Sequence, residues 1–482
     1  MKNRYCAWIG KALLFLSPLF CGMAGFVILE KQPFLDSLYQ CVGMYVLDYG
    51  DTPSNLLLEI ARWAAPLVTA SSVIMAVAAF RTFLVSRIHY LKGDSVAVYG
   101  PENEKAALLT QLGGRGIDGK DSFVLAQRYI LAGTEEENFA FYDRHRESLR
   151  SHKVYLQCSS LQEQAAVGAN LKLFSPEETA ARLFWKQCSL YEESIKKNHH
   201  LKIVLLGFEK LGEEVLRQGL LNNLFSPGQR IEYHIFGDGD AFLSIHSGIS
   251  HIEDPVIFYR EPWYQRLELM ESADLILLLT QEKQAGLLGD LLLAVHQRKI
   301  AVFSSGLSGV ELLEERERFS LFEWREAACK PENIMEEALF ERAKRINGRY
   351  ASLYQGVQEN EETRETLWQA LDAFTRYSNI SSADYHEVRL NMLKVLGEPA
   401  DAGKLSPEVL ELLSELEHIR WCRYHYLNNW SLGVPADGKN KDKVRRIHTD
   451  LIPYRELSEE DKEKDRENIR ILLSVPDVTA GR

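Results

Sequence analysis

The chain has 482 residues, 46% of them hydrophobic, with a formal net charge of −12 and seven cysteines. That length exceeds a single core and calls for three or four domains, while the acidic balance excludes nucleic acid as the main partner, because neutralising phosphates takes a basic face. The cysteines (Cys6, Cys21, Cys41, Cys158, Cys188, Cys329, Cys422) are scattered and contain no CxxC pair, which excludes a disulfide framework and a zinc site and points to a reducing cytoplasm.

The apolar residues are unevenly spread. Tyr5 to Leu29 is a long apolar run with one charge, Lys11, and at ~1.5 Å per residue a helix of that length crosses a ~30 Å hydrocarbon layer with some tilt. A second run, Trp63 to Val85, carries only Arg81 near its end. Two transmembrane helices are therefore expected. The alternative for the first, a cleaved signal peptide, has a shorter apolar core and a small-residue cleavage site, which this run lacks. Lys2, Arg4 and Lys11 flank the first run, and Arg81, Arg87, His89 and Lys92 flank the second. Both flanks are then cytoplasmic by the positive-inside rule, and Glu30 to Arg62 lies outside or dips back into the bilayer.

Within that connection, Phe34-Leu35-Asp36-Ser37-Leu38-Tyr39 opens an amphipathic stretch, and Val46-Leu47-Asp48-Tyr49-Gly50-Asp51 follows. Span, re-entrant half-helix, Tyr-Gly-Asp and span together resemble the pore unit of two-span potassium channels, whose T-V-G-Y-G-D strand lines a filter with carbonyl oxygens. The resemblance implies a filter over Val46, Leu47, Asp48, Tyr49, Gly50 and Asp51 and a homo-oligomer, a tetramer being favoured, that passes a cation. Val46 stands where the family has threonine, and Asp48 replaces the first filter glycine, whose backbone freedom it lacks. A ring of Asp48 carboxylates implies cation passage of lower selectivity. The plainer alternative is an external turn between two anchoring helices.

After Lys92, short apolar runs alternate with helical stretches, the pattern of parallel α/β sheets. Strands are expected at Asp94–Gly100, Arg128–Gly133 and Lys153–Cys158, with a helix over Glu102–Leu112 and another opening at Thr134. Gly168 to Phe174 runs into a helix with Ser175 as its cap and Pro176 in its first turn. A second pass has strands at Lys202–Gly207, Ile231–Phe236, Ala273–Thr280 and Ile300–Phe303. Gly207 directly after a strand and Gly212 five residues on suit a tight turn and close helix packing, and Asp238, at the end of the next strand, suits a ribose hydroxyl.

These stretches, residues 93 to about 310, resemble paired RCK (TrkA-N type) domains, two doubly wound, Rossmann-like units. The family regulates potassium channels and transporters by binding nucleotides, dinucleotides or ions. Neither phosphate turn follows the family pattern. The first reads Gly100-Pro101-Glu102-Asn103-Glu104, and the second places Glu209 where the middle glycine belongs, lacking the small size that lets phosphate approach backbone amides. A scaffold used only for assembly is the competing reading.

Residues 316–404 have helical spacing, with Trp368, Leu371 and Phe374 on one face and a loop expected at Asn379–Asp384, whose Ser/Asn/Asp content suits a helix cap. They read as a connector. Then come Glu417-His418-Ile419-Arg420-Trp421, Asn429-Trp430, a loop with Lys439, Lys441, Lys443, Arg445 and Arg446, His448, Leu451-Ile452-Pro453-Tyr454 and an acidic helix through Arg466. Their order resembles the RyR domain, the small repeat named after ryanodine receptors, departing at Asn429 (glycine in the family) and Thr449 (proline). Trp421, Trp430 and Tyr454 are candidates for an aromatic wall on which a base stacks, with His448 and Pro453 beside them and the basic loop for phosphates. Alternatively the tryptophans are core and the loop is solvated surface.

No nucleophile–base pair, Walker loop or metal motif is present, so no catalytic activity and no metal are expected. A reductase on the nucleotide-fold units is the enzymatic alternative. The expected organisation is a channel-like segment at 1–92, α/β units at 93–195 and 196–315, the connector at 316–404 and the RyR domain at 405–482. The expected protein sits in a bacterial inner membrane with its carboxy-terminal domains in the cytoplasm. There a nucleotide or dinucleotide acts as regulatory ligand and controls cation flux. The alternative is a non-conducting, membrane-anchored sensor or effector, including one in bacterial immunity. Gly207, Gly212, Asp238, Trp421, Trp430, His448, Pro453 and Tyr454 are the candidate ligand-binding residues.

Overall fold

The computed structural model describes residues 13, 15–50, 52–120, 123–158, 170–296, 299–306, 309, 316–358 and 360–475. The start of the first apolar run, Asp51 and Gly168–Ala169 lie outside them. The chain divides into two compact units, Met1–Ser95 and Val96–Arg482.

The first unit is three helices, α1 (Phe15–Leu29), α2 (Phe34–Tyr45) and α3 (Leu56–Lys92). Their meeting faces carry small residues, which let backbones approach closely. A methyl added at Gly22 would lie 2.7 Å from Cys41 Sγ, and one at Gly25 the same distance from the Leu58 side chain. Pro18 removes a donor from the ladder of α1. One residue on, the Tyr45 hydroxyl inserts into that ladder, donating to Phe15 O (2.6 Å) and accepting from Leu19 N (3.2 Å). It thereby pins the end of α2 to α1. Asn55 caps α3 by accepting from Leu58 N at 3.1 Å, and left-handed Gly93 closes it. The outside of the unit is apolar: Leu35, Tyr39 and Val42 on α2 and Trp63, Leu67, Ile74 and Val77 on α3 are exposed.

Of the two expected spans, one is matched by a helix long and apolar enough to cross a membrane, at Leu56–Ile74 within α3; Phe15–Leu29 is a shorter apolar helix among the described residues. A helix, α2, occupies the stretch where the re-entrant half-helix was expected. Among the described residues of the expected filter, 46–50, no strand is formed. Val46 and Leu47 form the turn that closes α2, with Val46 N on Gly43 O, Leu47 N on Met44 O and Leu47 left-handed at φ 63°. The terminal carbonyls of a helix require such partners, and the Asp48 N–H also returns to Gly43 O. Tyr49 packs edge-on against Phe26 at 5.9 Å, and Gly50 has open space around it.

The second unit holds two all-parallel sheets. The first contains β1 (Val96–Tyr99), β2 (Gly116–Asp118), β3 (Arg128–Leu131), β4 (Lys153–Gln157) and β5 (Leu171–Phe174) in the order β2-β1-β3-β4-β5. Helices α4 (Glu102–Leu112) and α5 (Glu135–Arg144) follow β1 and β3, the latter with a Thr134–Glu137 capping box. After β5, Ser175 caps α6 (Pro176–Gln187) through Glu178 N at 3.2 Å. The second sheet contains β6 (His200–Leu206), β7 (Arg230–Phe236), β8 (Val256–Tyr259), β9 (Leu275–Leu278), β10 (Ile300–Ser304) and β11 (Phe319–Glu323). Its order, β11-β10-β9-β6-β7-β8, is the dinucleotide-fold order 3-2-1-4-5-6, whereas the first sheet has the other doubly wound order, 2-1-3-4-5. The two are therefore not copies of one strand plan. β11 carries the second sheet past residue 315, and α6, expected in the first unit, packs into the second sheet's core, with Trp185 Nε1 donating to Val215 O at 2.9 Å.

Helices α7 (Lys210–Asn222) and α8 (Asp240–Ile245) follow β6 and β7, and α9 (Gln284–Ala294) follows β9. Beyond β11 lie α10 (Glu341–Gln355), α11 (Glu361–Ala370), α12 (Ala373–Leu396) and α13 (Pro407–Leu427). The loop expected at Asn379–Asp384 is the interior of α12, and Asp372 caps that helix instead, accepting from Thr375 N at 2.7 Å. Its polar residues are a buried seam. Asp384 takes Arg182 at 2.5 Å and Lys186 at 3.2 Å. Ser382 donates to Glu417 at 3.0 Å, and Ser381 accepts from Arg420 at 3.0 Å. Burial opposes the Glu417 charge, but Arg420 and Arg389 overcome it and hold the carboxyl down at about 2.

Candidate functional site

In an open doubly wound sheet, ligands bind outside the carboxyl ends of the strands where the strand order reverses. Here that point lies where β6 has β7 on one side and β9 on the other. Gly207 ends β6 with φ 100°, and a methyl on it would lie 2.8 Å from Thr280 N, at the end of β9. Gly212, in the first turn of α7, would press a methyl to 2.8 Å from Gly207 O. Both glycines are required by the turn and by helix–strand contact. Glu209 sits between them, exposed, immediately before the first residue of α7.

A cleft of about 920 Å³ opens there, lined among others by Gly207, Asp238, Tyr259, Glu261, Trp263 and Thr280. Asp238 Oδ1 accepts from Asp240 N at 3.0 Å, fixing the turn that starts α8. Arg260 is already paired with Asp240 at 2.8 Å. Arg266 pairs with Glu261 at 2.6 Å, holding that carboxyl below its ordinary value. The Tyr259 ring stacks on Phe236 at 4.9 Å and its hydroxyl meets His234 Nδ1 at 2.9 Å. Trp263 is half-buried at the rim. The structure thus brings Gly207 and Asp238 together and puts Gly212 beneath the cleft rather than on it. Sequence reasoning missed Tyr259, Glu261, Trp263 and Thr280. Val256-Ile257-Phe258-Tyr259 after Pro255 carried the signal, a β-rich run behind a breaker.

The carboxy-terminal region is α13, three two-residue strands, β12 (Ser431–Leu432), β13 (Lys441–Asp442) and β14 (Ile447–His448), and α14 (Glu459–Ser474). Trp430 and Tyr454 are each only 5% exposed. Trp430 stacks on Phe374 at 5.0 Å, so the expected aromatic wall is core in two of its three members. Trp421 is half-buried and meets His448 edge-on at 4.9 Å. His448 is buried, accepts from Asp450 N through Nδ1 at 3.1 Å, and is pushed down by burial, so it is neutral. Pro453 is exposed and starts the turn Tyr454–Glu456. In the basic loop, Lys439 is held by Asp437 at 3.0 Å, Lys443 pairs with Asp372, and Arg446 donates to Asn428 O at 3.1 Å. Much of the charge expected to hold phosphate is already engaged.

His418 donates Nε2–H to Ile452 O at 2.8 Å and turns Nδ1 to Asp465 at 3.4 Å. Burial disfavours its charge, but bonding to Asp465 and Cys422 prevails and lifts it to about 10. Burial also raises the Asp465 carboxyl. The Ile452 carbonyl only accepts and so fixes a proton on Nε2, while Nδ1 faces the Asp465 carboxyl.

The carboxyl end of α13 docks on the turn Ser247–His251 that follows α8. His246 Nδ1 donates to Leu427 O at 2.7 Å. Asn429, left-handed at φ 59°, donates Nδ2 to Ile245 O at 2.6 Å and accepts on Oδ1 from Ser247 Oγ and Gly248 N, both at 3.2 Å. Arg423 reaches buried Asp254 at 2.7 Å and Leu220 O at 3.0 Å. The Asn429 departure noted in the sequence thus has a reason. Asparagine tolerates the left-handed backbone and adds a side-chain clamp that glycine has no atoms to make.

The parallel strand orders place the larger part of the second unit in the Rossmann-like class. More specifically, residues 404–475 match the family model of the RyR domain. No curated protein matches the chain. The crystal structure of one of the subunits of dipicolinate synthase from Bacillus halodurans is similar at 12% identity, over 51% of this chain and 96% of that one, with a TM-score of 0.24. A likeness that slight carries no functional argument.

Proposed function

We propose that this chain is a ligand-gated, channel-like protein of a bacterial inner membrane. Its second-sheet cleft takes a nucleotide-like metabolite from the cytoplasm, and its α1–α3 unit, in a homo-oligomer, passes cations. The observation that carries this reading is the cleft itself, a built recess at the strand-order reversal of a dinucleotide-fold sheet. It is supported by what surrounds the recess. The Gly237–Asp240 loop on its wall begins α8, and the other end of α8 is clamped by Asn429 and Leu427. A ligand that prefers one arrangement of that loop therefore biases the RyR region, since only differential affinity between two conformations shifts an equilibrium. On the membrane side, the support is the helix α2 pinned by Tyr45 and the apolar exterior.

A second reading, a non-conducting anchored receptor, is favoured by the exposed Val46 and Leu47 at the turn, where a filter would present carbonyls. Reconstituted full-length protein separates the two in a cation-flux assay on liposomes. Conduction predicts ligand-dependent flux whose ion preference changes in Asp48→Asn, whereas an anchor gives no flux from either protein. Recovery of intact wild-type chain in the supernatant after high-speed centrifugation of detergent-free lysate would end both.

A further inference from the structure

The cleft has a shape suited to a nucleoside and a charge distribution unsuited to phosphate. Neighbouring strands lie ~4.8 Å apart, so the turn after β6 and the loop after β8 are separated by about 10 Å, which a nucleoside bridges. At the β8 end stands the half-buried Trp263 ring. In the middle, Asp238 spends Oδ1 on the backbone of Asp240, and its Oδ2 has no protein hydrogen bond among the described residues. At the β6 end, where a dinucleotide fold presents backbone amides and a helix amino terminus to pyrophosphate, the exposed Glu209 carboxylate precedes α7. Glu209 follows the lining residues Leu206 and Gly207 closely in the chain and adds a negative charge at the position before α7, without itself lining the cleft.

The lining does not reverse that sign. The charged residues on the described wall are Asp238, Asp240, Glu261 and Arg260, and the arginine is paired with Asp240. No lysine lines the cleft among the described residues. A phosphate here would meet carboxylates without an uncommitted cation, the inverse of the arrangement that binds phosphate.

We propose that the cleft selects a nucleoside whose 5′ substituent is neutral or positively charged and discriminates against its 5′-phosphorylated forms. The base lies on Trp263, the ribose hydroxyls on Asp238 and the 5′ group toward Glu209. This rests on reading the cleft as a nucleotide-type receptor and adds the charge of the ligand.

The test is isothermal titration calorimetry on full-length protein in detergent. The probes are adenosine and guanosine, their 5′-amino-5′-deoxy derivatives, their 5′-monophosphates, and NAD. The amino derivative of the preferred base is expected to bind at least about tenfold tighter than the monophosphate, and Glu209→Gln is expected to collapse that ratio toward one while the melting temperature holds. Asp238→Asn and Trp263→Ala should each weaken the amino derivative by about tenfold. Tighter binding of the monophosphate or NAD by wild-type protein overturns the charge selection while leaving the cleft a receptor. So does a ratio unmoved in Glu209→Gln. Binding untouched by both Asp238→Asn and Trp263→Ala places the ligand elsewhere. Absence of heat and of any melting shift with every probe overturns the receptor reading and this inference with it.

Discussion

The two parallel sheets begin alike, each with a buried strand ending in a glycine of positive φ, Gly100 and Gly207, and then diverge. At the first, Lys105 is nearly buried and bridges Asp118 (2.8 Å) and Glu102 (3.0 Å), and Asn138 ties Gly133 to Gln157 O at the ends of β3 and β4. The carboxyl edge of that sheet is stitched by its own side chains. At the second, the corresponding edge is left as a cleft, and the loops around it continue into the surface that holds α13. The frame is shared, and among the described residues the loops differ in whether their side chains bridge the carboxyl edge or leave a cleft there. That is why function has to be argued from the site and not from the fold.

The comparison breaks hardest at the helix the two sheets share. α6 leaves the first sheet but packs in the core of the second, and Arg182 on it is buried against Asp384 of α12. Asp384→Ala strands that guanidinium beside Lys186, and removing one partner of a buried ion pair costs about 3–5 kcal/mol. Both sheets should then unfold together at lower urea, followed by tryptophan fluorescence and by hydrogen exchange in each sheet. An apolar pair, Arg182→Met with Asp384→Leu, should recover most of the loss. Separate transitions for the two sheets, or an Asp384→Ala curve that overlays wild type, would show that the seam does not join them.

A finer cut touches only the second sheet. Asn429→Gly keeps the left-handed backbone and deletes the clamp on Ile245, Ser247 and Gly248. At ~0.5–1.5 kcal/mol for each net hydrogen bond, partly exposed as these are, about 2 kcal/mol is lost. Amide exchange should quicken across Asp240–Ile245 while Val96–Tyr99 and Arg128–Leu131 stay as in wild type. Equal quickening in both sheets would mean that Asn429 serves general stability and not the contact between α8 and the RyR region.

Much of this difference was legible in the sequence. Strand ends, the Ser175–Pro176 cap and the RyR order Glu417, His418, Trp421, Trp430 and Tyr454 were readable because each follows from local chemistry. What escaped was non-local. Asn379–Asp384 has the composition of a cap, yet its serines and aspartate point at Glu417, Arg420 and Arg182 from elements distant in sequence, and pairing a buried charge outweighs local preference. β2 is three residues long, and the identity of β8 and β11 comes from the strands they pair with. Val46 and Leu47 look like filter residues by order but are claimed by the carbonyls that α2 must satisfy. Gly207 and Asp238, which line the cleft, were named from the sequence, and Trp263 was not, because a loop after an uncounted strand has no address in a sequence.

The smallest effect is a pH dependence on the RyR side. His418 sits under Asp465 of α14, Cys422 of its own helix, the Ile452 carbonyl and neutral His448, and its folded value is lifted to about 10 from an ordinary 6.5. A base raised on folding binds its proton more tightly in the native state, so the unfolded state holds fewer protons above pH 6.5 and stability falls as pH rises. The contribution is complete below pH 6.5 and drains away toward pH 10. Burial raises Asp465 at the same time, which returns part of the gain and leaves about 1–2 kcal/mol. His418→Gln retains a donor for Ile452 O without the titration, so its urea midpoint should lose less than wild type between pH 7 and pH 9.5. Parallel losses in the two proteins would mean that the imidazole is neutral.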